Sequence, residues 1–168
     1  MNPKKLYKHL YRLLDDATPI KADCGKLCGS ACCDGDEDTG MYLFPFEEVM
    51  YSGKESWIKI YDSDFFVGGD AVKIAICNGG CKREKRPLSC RIFPLFLYSG
   101  GELKADFRAK HICPLAASNI GIDEYNPQFT KNIRKVFNIL KKFRQTSVYI
   151  KETEKIILEQ KEISDRFI

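Results

Sequence analysis

The sequence predicts an α+β fold, with short strands and loops arranged around cysteine-ligated metal and helices at both termini. Three observations lead there. Eight cysteines fall within residues 24–113 of a 168-residue chain. Apolar residues at helical spacing are confined to the two ends, and between them period-two alternation appears only in short runs. With 44% hydrophobic and 30% charged residues, the composition is that of a globular protein, which excludes disordered, collagen-like and coiled-coil chains. The length predicts one domain, 1–168. Within it, 24–113 is the expected metal-binding core and 126–168 a basic helical tail packed on that core.

The first segment predicts a helix. Asn2 is placed to cap it, Pro3 suits its first turn, Leu6, Leu10, Leu13 and Leu14 form one stripe, and Thr18-Pro19 ends it. Charges from Lys4 to Asp16 break any signal-peptide core, and nowhere do roughly 18 apolar residues run together. Neither a leader nor a membrane partner is therefore expected.

The middle segment reads as short elements. MYLF at 41–44 is extended, and Pro45 with Glu47 and Glu48 opens a short helix that Gly53 closes. Val72, Ile74 and Ile76 alternate with Ala71, Lys73 and Ala75 as a half-buried strand leading into Cys77. Runs 92–98 and 103–107 flank Ser99-Gly100-Gly101 as a hairpin. Near the end, Phe129, Ile133, Val136, Phe137, Leu140 and Phe143 follow helical spacing. Six basic residues occupy other positions of 131–144, and Ile156, Ile157, Ile163 and Phe167 extend the apolar pattern.

The chemistry lies in the cysteines. Cys24, Cys28, Cys32 and Cys33 form C-x3-C-x3-C-C; Cys77, Cys81 and Cys90 form C-x3-C-x8-C; Cys113 stands alone before Pro114. Spacings of two to four residues let two sulfurs converge on one ion. Gly25 and Gly29 follow the first two cysteines, which would let backbone N–H groups approach the sulfurs. Side chains of adjacent residues point apart, so Cys32 and Cys33 either split between two sites or hold different corners of a cluster. Eight thiolates divide into two centres of four, or into one centre and a leftover reactive pair. Soft thiolates suit zinc and an iron–sulfur cluster alike. A cytoplasmic location, where thiols stay reduced, favours metal over a disulfide scaffold.

Lys82, Arg83, Lys85, Arg86 and Arg91 cluster around Cys81 and Cys90, where their charge would offset that of the thiolates. Arg86 and Arg91 bracket Pro87 and Cys90 and are the expected contacts to the cofactor, offsetting thiolate charge and lowering thiol pKa values. His111, in HICP, is a further candidate ligand or proton shuttle, although a surface role suits it as well. His9 is expected in solvent.

CGKLCGSACC, followed by MYLFPFEEV and CNGGCKREKRPLSCRIFP, resembles the YkgJ-type cysteine-cluster family, the zinc- or iron-chelating CxxCxxCC domain. The resemblance covers roughly residues 24–113 and is most specific where C-x3-C-x3-C-C is combined with R-P-x-x-C-R-x-F-P. The first run has three residues between cysteines where the family name has two. The resemblance implies metal binding through all eight cysteines. Some members of the family are iron–sulfur proteins, and flagellin lysine-N-methylases carry a similar cluster domain. No further motif carries a methylase or other reaction onto this chain.

Other motifs add little. Asp34, Asp36 and Asp38 resemble the start of a calcium loop, but Thr39 stands where glycine is needed and Pro45 where a bidentate glutamate is needed. These acids read as a loop beside the cysteine run. No G-x-S-x-G, Walker A or G-x-G-x-x-G occurs. The net charge of +4 is mild, so a nucleic-acid partner is not expected. It is nevertheless uneven, at +2 over 1–23, −3 over 24–125 and +5 over 126–168. The expected function is a metal-binding protein with one or two thiolate centres, serving redox or modification chemistry. The alternative is a structural zinc module whose basic C-terminal helix binds a protein or nucleic acid.

Overall fold

A computed structural model describes residues 2–33, 39–79 and 81–167. The acidic run expected as a loop at 34–38 lies outside the described residues.

Helix α1 spans Pro3–Leu14, and the Asn2 side chain accepts from Lys5 N at 3.2 Å, as a capping asparagine does. Its buried face carries Leu6, Tyr7, Leu10, Tyr11 and Leu14. Two tyrosines therefore share the stripe expected to be leucine alone, and Leu13 packs at its edge. The helix ends at Leu14, four residues before Thr18.

The sheet places β3 (Asp70–Cys77) between β1 (Met41–Tyr42) and β2 (Ile58–Val67), all antiparallel. Met41 pairs with Ala75 and Ile58 with Cys77, so the end of β3 delivers Cys77 at the sheet margin. Gly40 sits so close to β3 that a β-carbon there would lie 2.7 Å from Ile74 Cγ1 and 2.9 Å from Ala75 O. Only glycine admits that approach.

After the sheet come a one-and-a-half-turn helix, α3 (Leu88–Ile92), and a hairpin of β4 (Leu95–Leu97) with β5 (Leu103–Ala105). The hairpin stands where expected, but Ile92 closes a helix instead of opening its first strand. Helix α5 (Pro127–Leu140) is capped by Asn126, which accepts from Gln128 N at 3.0 Å. Helix α6 (Arg144–Arg166) begins anew after Phe143, which is extended at φ −110° and ψ 133°. Burial along α6 ends at Ile157; beyond it, Ile163 and Phe167 are exposed, and Lys161–Asp165 and Arg166–Glu162 pair on the surface.

The main apolar core joins α1, α3, the β4–β5 hairpin, α5 and α6. Tyr7, Phe129, Phe137, Leu10 and Leu140 are its fully buried bulk, and Phe44 and Phe96 meet Phe137 edge-on. No cysteine belongs to it; Cys77 touches only a smaller cluster of Leu43, Ile58 and Ala75. The mixed α+β fold with helices at both ends is as expected. Its largest buried mass, however, is apolar and is gathered by the terminal helices. Among the described residues no helix is long and apolar enough to cross a membrane.

One buried charge ties these parts together. Glu47 is fully buried; its Oε1 accepts from Leu88 N at 2.5 Å and from Tyr11 Oη at 2.6 Å, and its Oε2 accepts from Phe44 N at 2.9 Å. Desolvation raises its pKa from 4.5 to about 7, opposed by the Tyr11, Leu88 and Phe44 hydrogen bonds and by Arg91. A carboxyl whose folded pKa exceeds its unfolded one favours the fold fully below the unfolded value. That contribution is lost as pH rises from 4.5 to about 7. It amounts to something on the order of 3 kcal/mol. Urea unfolding at pH 5 and pH 8 should show this decline. Glu47→Gln sets an amide NH₂ against a backbone donor, so it should cost about 1–3 kcal/mol and flatten the decline. Equal pH dependence in both proteins would show that another group titrates.

Candidate metal centre

The eight cysteines are carried by short elements whose ends are fixed locally. Asp23 caps the single-turn α2 (Cys24–Leu27) by accepting from Gly25 N at 3.2 Å. The Gly25 N–H is therefore given to a carboxylate, not to a sulfur as the sequence suggested. Gly29 and Ser30 are left-handed, at φ 62° and 59°, and Ser30 N returns to Gly25 O at 2.7 Å. That reversal sends the chain into the 3-10 turn Ala31–Cys33. Gly79, at φ 76°, lies so near Cys33 that a β-carbon would stand 3.1 Å from its carbonyl oxygen. The loop leading to Cys81 thereby rests on the first cysteine run. Cys90 lies inside α3, and Cys113 immediately precedes a further single-turn helix, α4 (Pro114–Ala117).

All eight side chains line two cavities. One, of about 320 Å³, is bounded by Cys32, Cys33, Cys77, Cys81 and Cys90. The other, of about 140 Å³, is bounded by Cys24, Cys28, Cys32, Cys90 and Cys113. Cys32 and Cys90 border both, as do Arg86, Phe93 and Ile112, so the cavities adjoin. All eight thiols are free, Cys32 is exposed, and the Cys32 and Cys33 sulfurs are 4.0 Å apart. Among the described residues no three His, Cys, Asp or Glu side chains are gathered tightly enough to hold an ion. Chain segments far apart in sequence thus converge on one region, with their sulfurs standing apart. His111 is exposed on the border of the larger cavity, its ring set edge-on to Phe107 with centroids 5.6 Å apart.

The electrostatic neighbourhoods sort the thiols. Cys24 is raised by burial and then by Cys28 and Cys113. Cys90 is pushed up by burial and then by Cys77, Cys81 and Cys33. Burial also raises Cys81, against the Arg86 guanidinium that hydrogen-bonds it. Cys32 is raised by its bond to Cys33 and by burial, and feels both Cys90 and Cys24. Cys33 is lowered to about 6, first by the hydrogen bond from Cys32 and then by Arg86.

The two expected arginines take different positions. Arg86 borders both cavities, and its buried Nε has no hydrogen-bond partner. Arg91 is buried across the Tyr11 ring, 4.2 Å from its centroid. It donates from Nη1 to Asp15 Oδ1 at 2.6 Å and from Nε to Arg86 O at 2.8 Å, while Nη2 is buried without a partner. Arg83 was expected only as one of the basic residues near the cysteines, and its capping of α1 was missed. It closes the C-terminal end of α1 by donating to Asp15 O at 2.7 Å and Ala17 O at 2.6 Å, and its charge lowers the Cys24 thiol. Its only sequence signal is its place in the basic run 82–86.

In the metal-free, reduced protein, Cys32→Ala should return Cys33 toward the ordinary thiol value. Arg86 still lowers Cys33, so at pH 7 the thiolate fraction should fall by at most about 100-fold while nucleophilicity rises by at most about 20-fold, and alkylation of Cys33 should slow by up to about fivefold. Peptide-resolved alkylation rates measure this, and an unchanged rate would mean that Cys32 does not hold the Cys33 thiolate.

Comparison with protein-family models, with curated proteins and with solved structures finds no match for this chain.

Proposed function

We propose that this protein binds metal through thiolates in two neighbouring centres. Cys24, Cys28, Cys32 and Cys113 would serve the smaller cavity, and Cys33, Cys77, Cys81 and Cys90 the larger. The observation that carries the reading is the convergence of all eight cysteines on two adjoining cavities that share a border. The electrostatic grouping supports the division, since Cys24 responds to Cys28 and Cys113, whereas Cys90 responds to Cys33, Cys77 and Cys81. The resemblance to the YkgJ-type cysteine-cluster family agrees with metal binding.

The surroundings fit a negatively charged thiolate centre. Arg86 Nε and Arg91 Nη2 are buried donors without partners, and both arginines border the smaller cavity. A centre of four thiolates leaves net negative charge that such donors would offset. An all-sulfur donor set selects zinc or an iron–sulfur cluster over hard cations. Zinc would supply a cross-link between distant segments; a cluster would supply one-electron transfer in a redox or modification system. A reducing, cytoplasmic location belongs to the same reading.

Anaerobic purification followed by metal, sulfide and visible-absorption analysis tests it. Cys113→Ser and Cys77→Ser should each retain about half of the wild-type metal, and the double variant almost none. A metal-free wild-type protein with mapped disulfides would overturn metal binding. Complete loss of metal in either single variant would overturn the division into two centres.

A further inference from the structure

The mild net charge conceals a segregated one. Helix α1 carries Lys4, Lys5, Lys8 and Arg12, helix α5 carries Lys131, Arg134 and Lys135, and neither contains an acidic residue. All seven side chains are exposed. The two helices pack side by side, with Asn132 Nδ2 donating to Leu13 O at 2.5 Å, and both send their apolar faces into the same core. Their outward faces are therefore neighbours. None of the seven cations pairs with a carboxylate among the described residues; Arg134 donates only to Gly101 O, at 3.0 Å. Helix α6 is different, since its Lys155, Lys161 and Arg166 are each paired within the helix.

We propose that the joint α1–α5 face binds the phosphate backbone of a nucleic-acid duplex. Lys4, Lys8 and Arg12 follow one another by four residues, a row roughly 12 Å long, and the α5 cations lie on the adjacent helix, whose axis is about 8–10 Å away. Two rows of unpaired cations suit a surface bearing a phosphate charge every ~1.7 Å along the duplex axis. What the face lacks decides between polyanions. No large hydrophobic residue of α1 or α5 is exposed, and the tyrosines of α1 are buried. Insertion into a lipid interface needs exposed apolar residues, stacking of single-stranded bases needs exposed aromatics, and a protein interface needs apolar or aromatic anchors. A duplex backbone needs only the charges. The inference is independent of metal binding.

Fluorescence anisotropy with a labelled 20-base-pair RNA or DNA duplex of arbitrary sequence tests it on the full-length protein as purified. Binding should weaken at least about 100-fold between 50 and 200 mM salt, as expected for four or more phosphate contacts. The quadruple variant K8E/R12E/K131E/K135E should bind at least tenfold more weakly at 50 mM salt. A control with the same charge change elsewhere, K54E/K59E/K151E/K161E, should stay within about threefold of wild type. Circular dichroism verifies that both variants are folded. Equal losses in the two variants would reduce the effect to net charge and overturn the proposal. It is equally overturned by salt-independent binding, or by binding to vesicles containing phosphatidylserine without binding to duplex.

Discussion

The carboxylate of Glu47 is the point on which the arrangement turns. It gathers the backbone N–H groups of Phe44 and Leu88 and the Tyr11 hydroxyl around one buried acceptor pair. Those donors belong to three elements that share no continuous stretch of chain: the segment after β1, the N-terminus of α3, and α1. Because α3 carries Cys90, the same carboxylate fixes where that sulfur stands. Three hydrogen bonds offset much of the cost of burying the group, and the raised pKa measures the part they leave uncompensated.

The helices and the central strand were legible because their cause is local. Asn2, Pro3 and the α1 spacing specify a start and a buried face without reference to the rest of the chain. The mostly apolar run 71–76 marks a strand, although Val72 and Ala75, from opposite phases, are its buried residues while Ile74 and Ile76 are half-buried. Strand β2 went unread because its alternation is weak. Only Ile58 is buried, Tyr61 and Phe66 are exposed, and the register shifts between Asp62 and Phe66. Glu47 looked like an ordinary acid at a helix start, since nothing local shows that Tyr11 and Leu88 will close over it. The capping role of Arg83 was equally hidden, because the carbonyls it caps lie 66 to 69 residues away.

The cysteines are an intermediate case. Spacing identified the residues that come together, yet it could not say how they divide, because Cys32 and Cys33 are neighbours in sequence and border different sets of sulfurs in space. Arg86 and Arg91 were expected to act alike. The fold instead spends most of Arg91 on Tyr11, Asp15 and the Arg86 carbonyl, and leaves Arg86 as the cation that touches a thiol. Charge that is already uneven along the chain is sorted further by the fold. Acid-free helices occupy one outward surface, whereas three of the five cations of the last helix are paired within it.

The end of burial at Ile157 divides α6 into two regimes of opening. Twenty-three residues make a rod of roughly 34 Å, and only its first half and a little more lies against the core. Amide protons up to that point can exchange only when Tyr149, Ile150 and Ile157 leave the core together, which couples them to unfolding of the whole domain. Past it, the backbone hydrogen bonds are supported by surface ion pairs worth a few tenths of a kilocalorie each. These turns unwind individually and reclose, so exchange there follows local fraying, and one continuous helix combines slowly and rapidly exchanging protons.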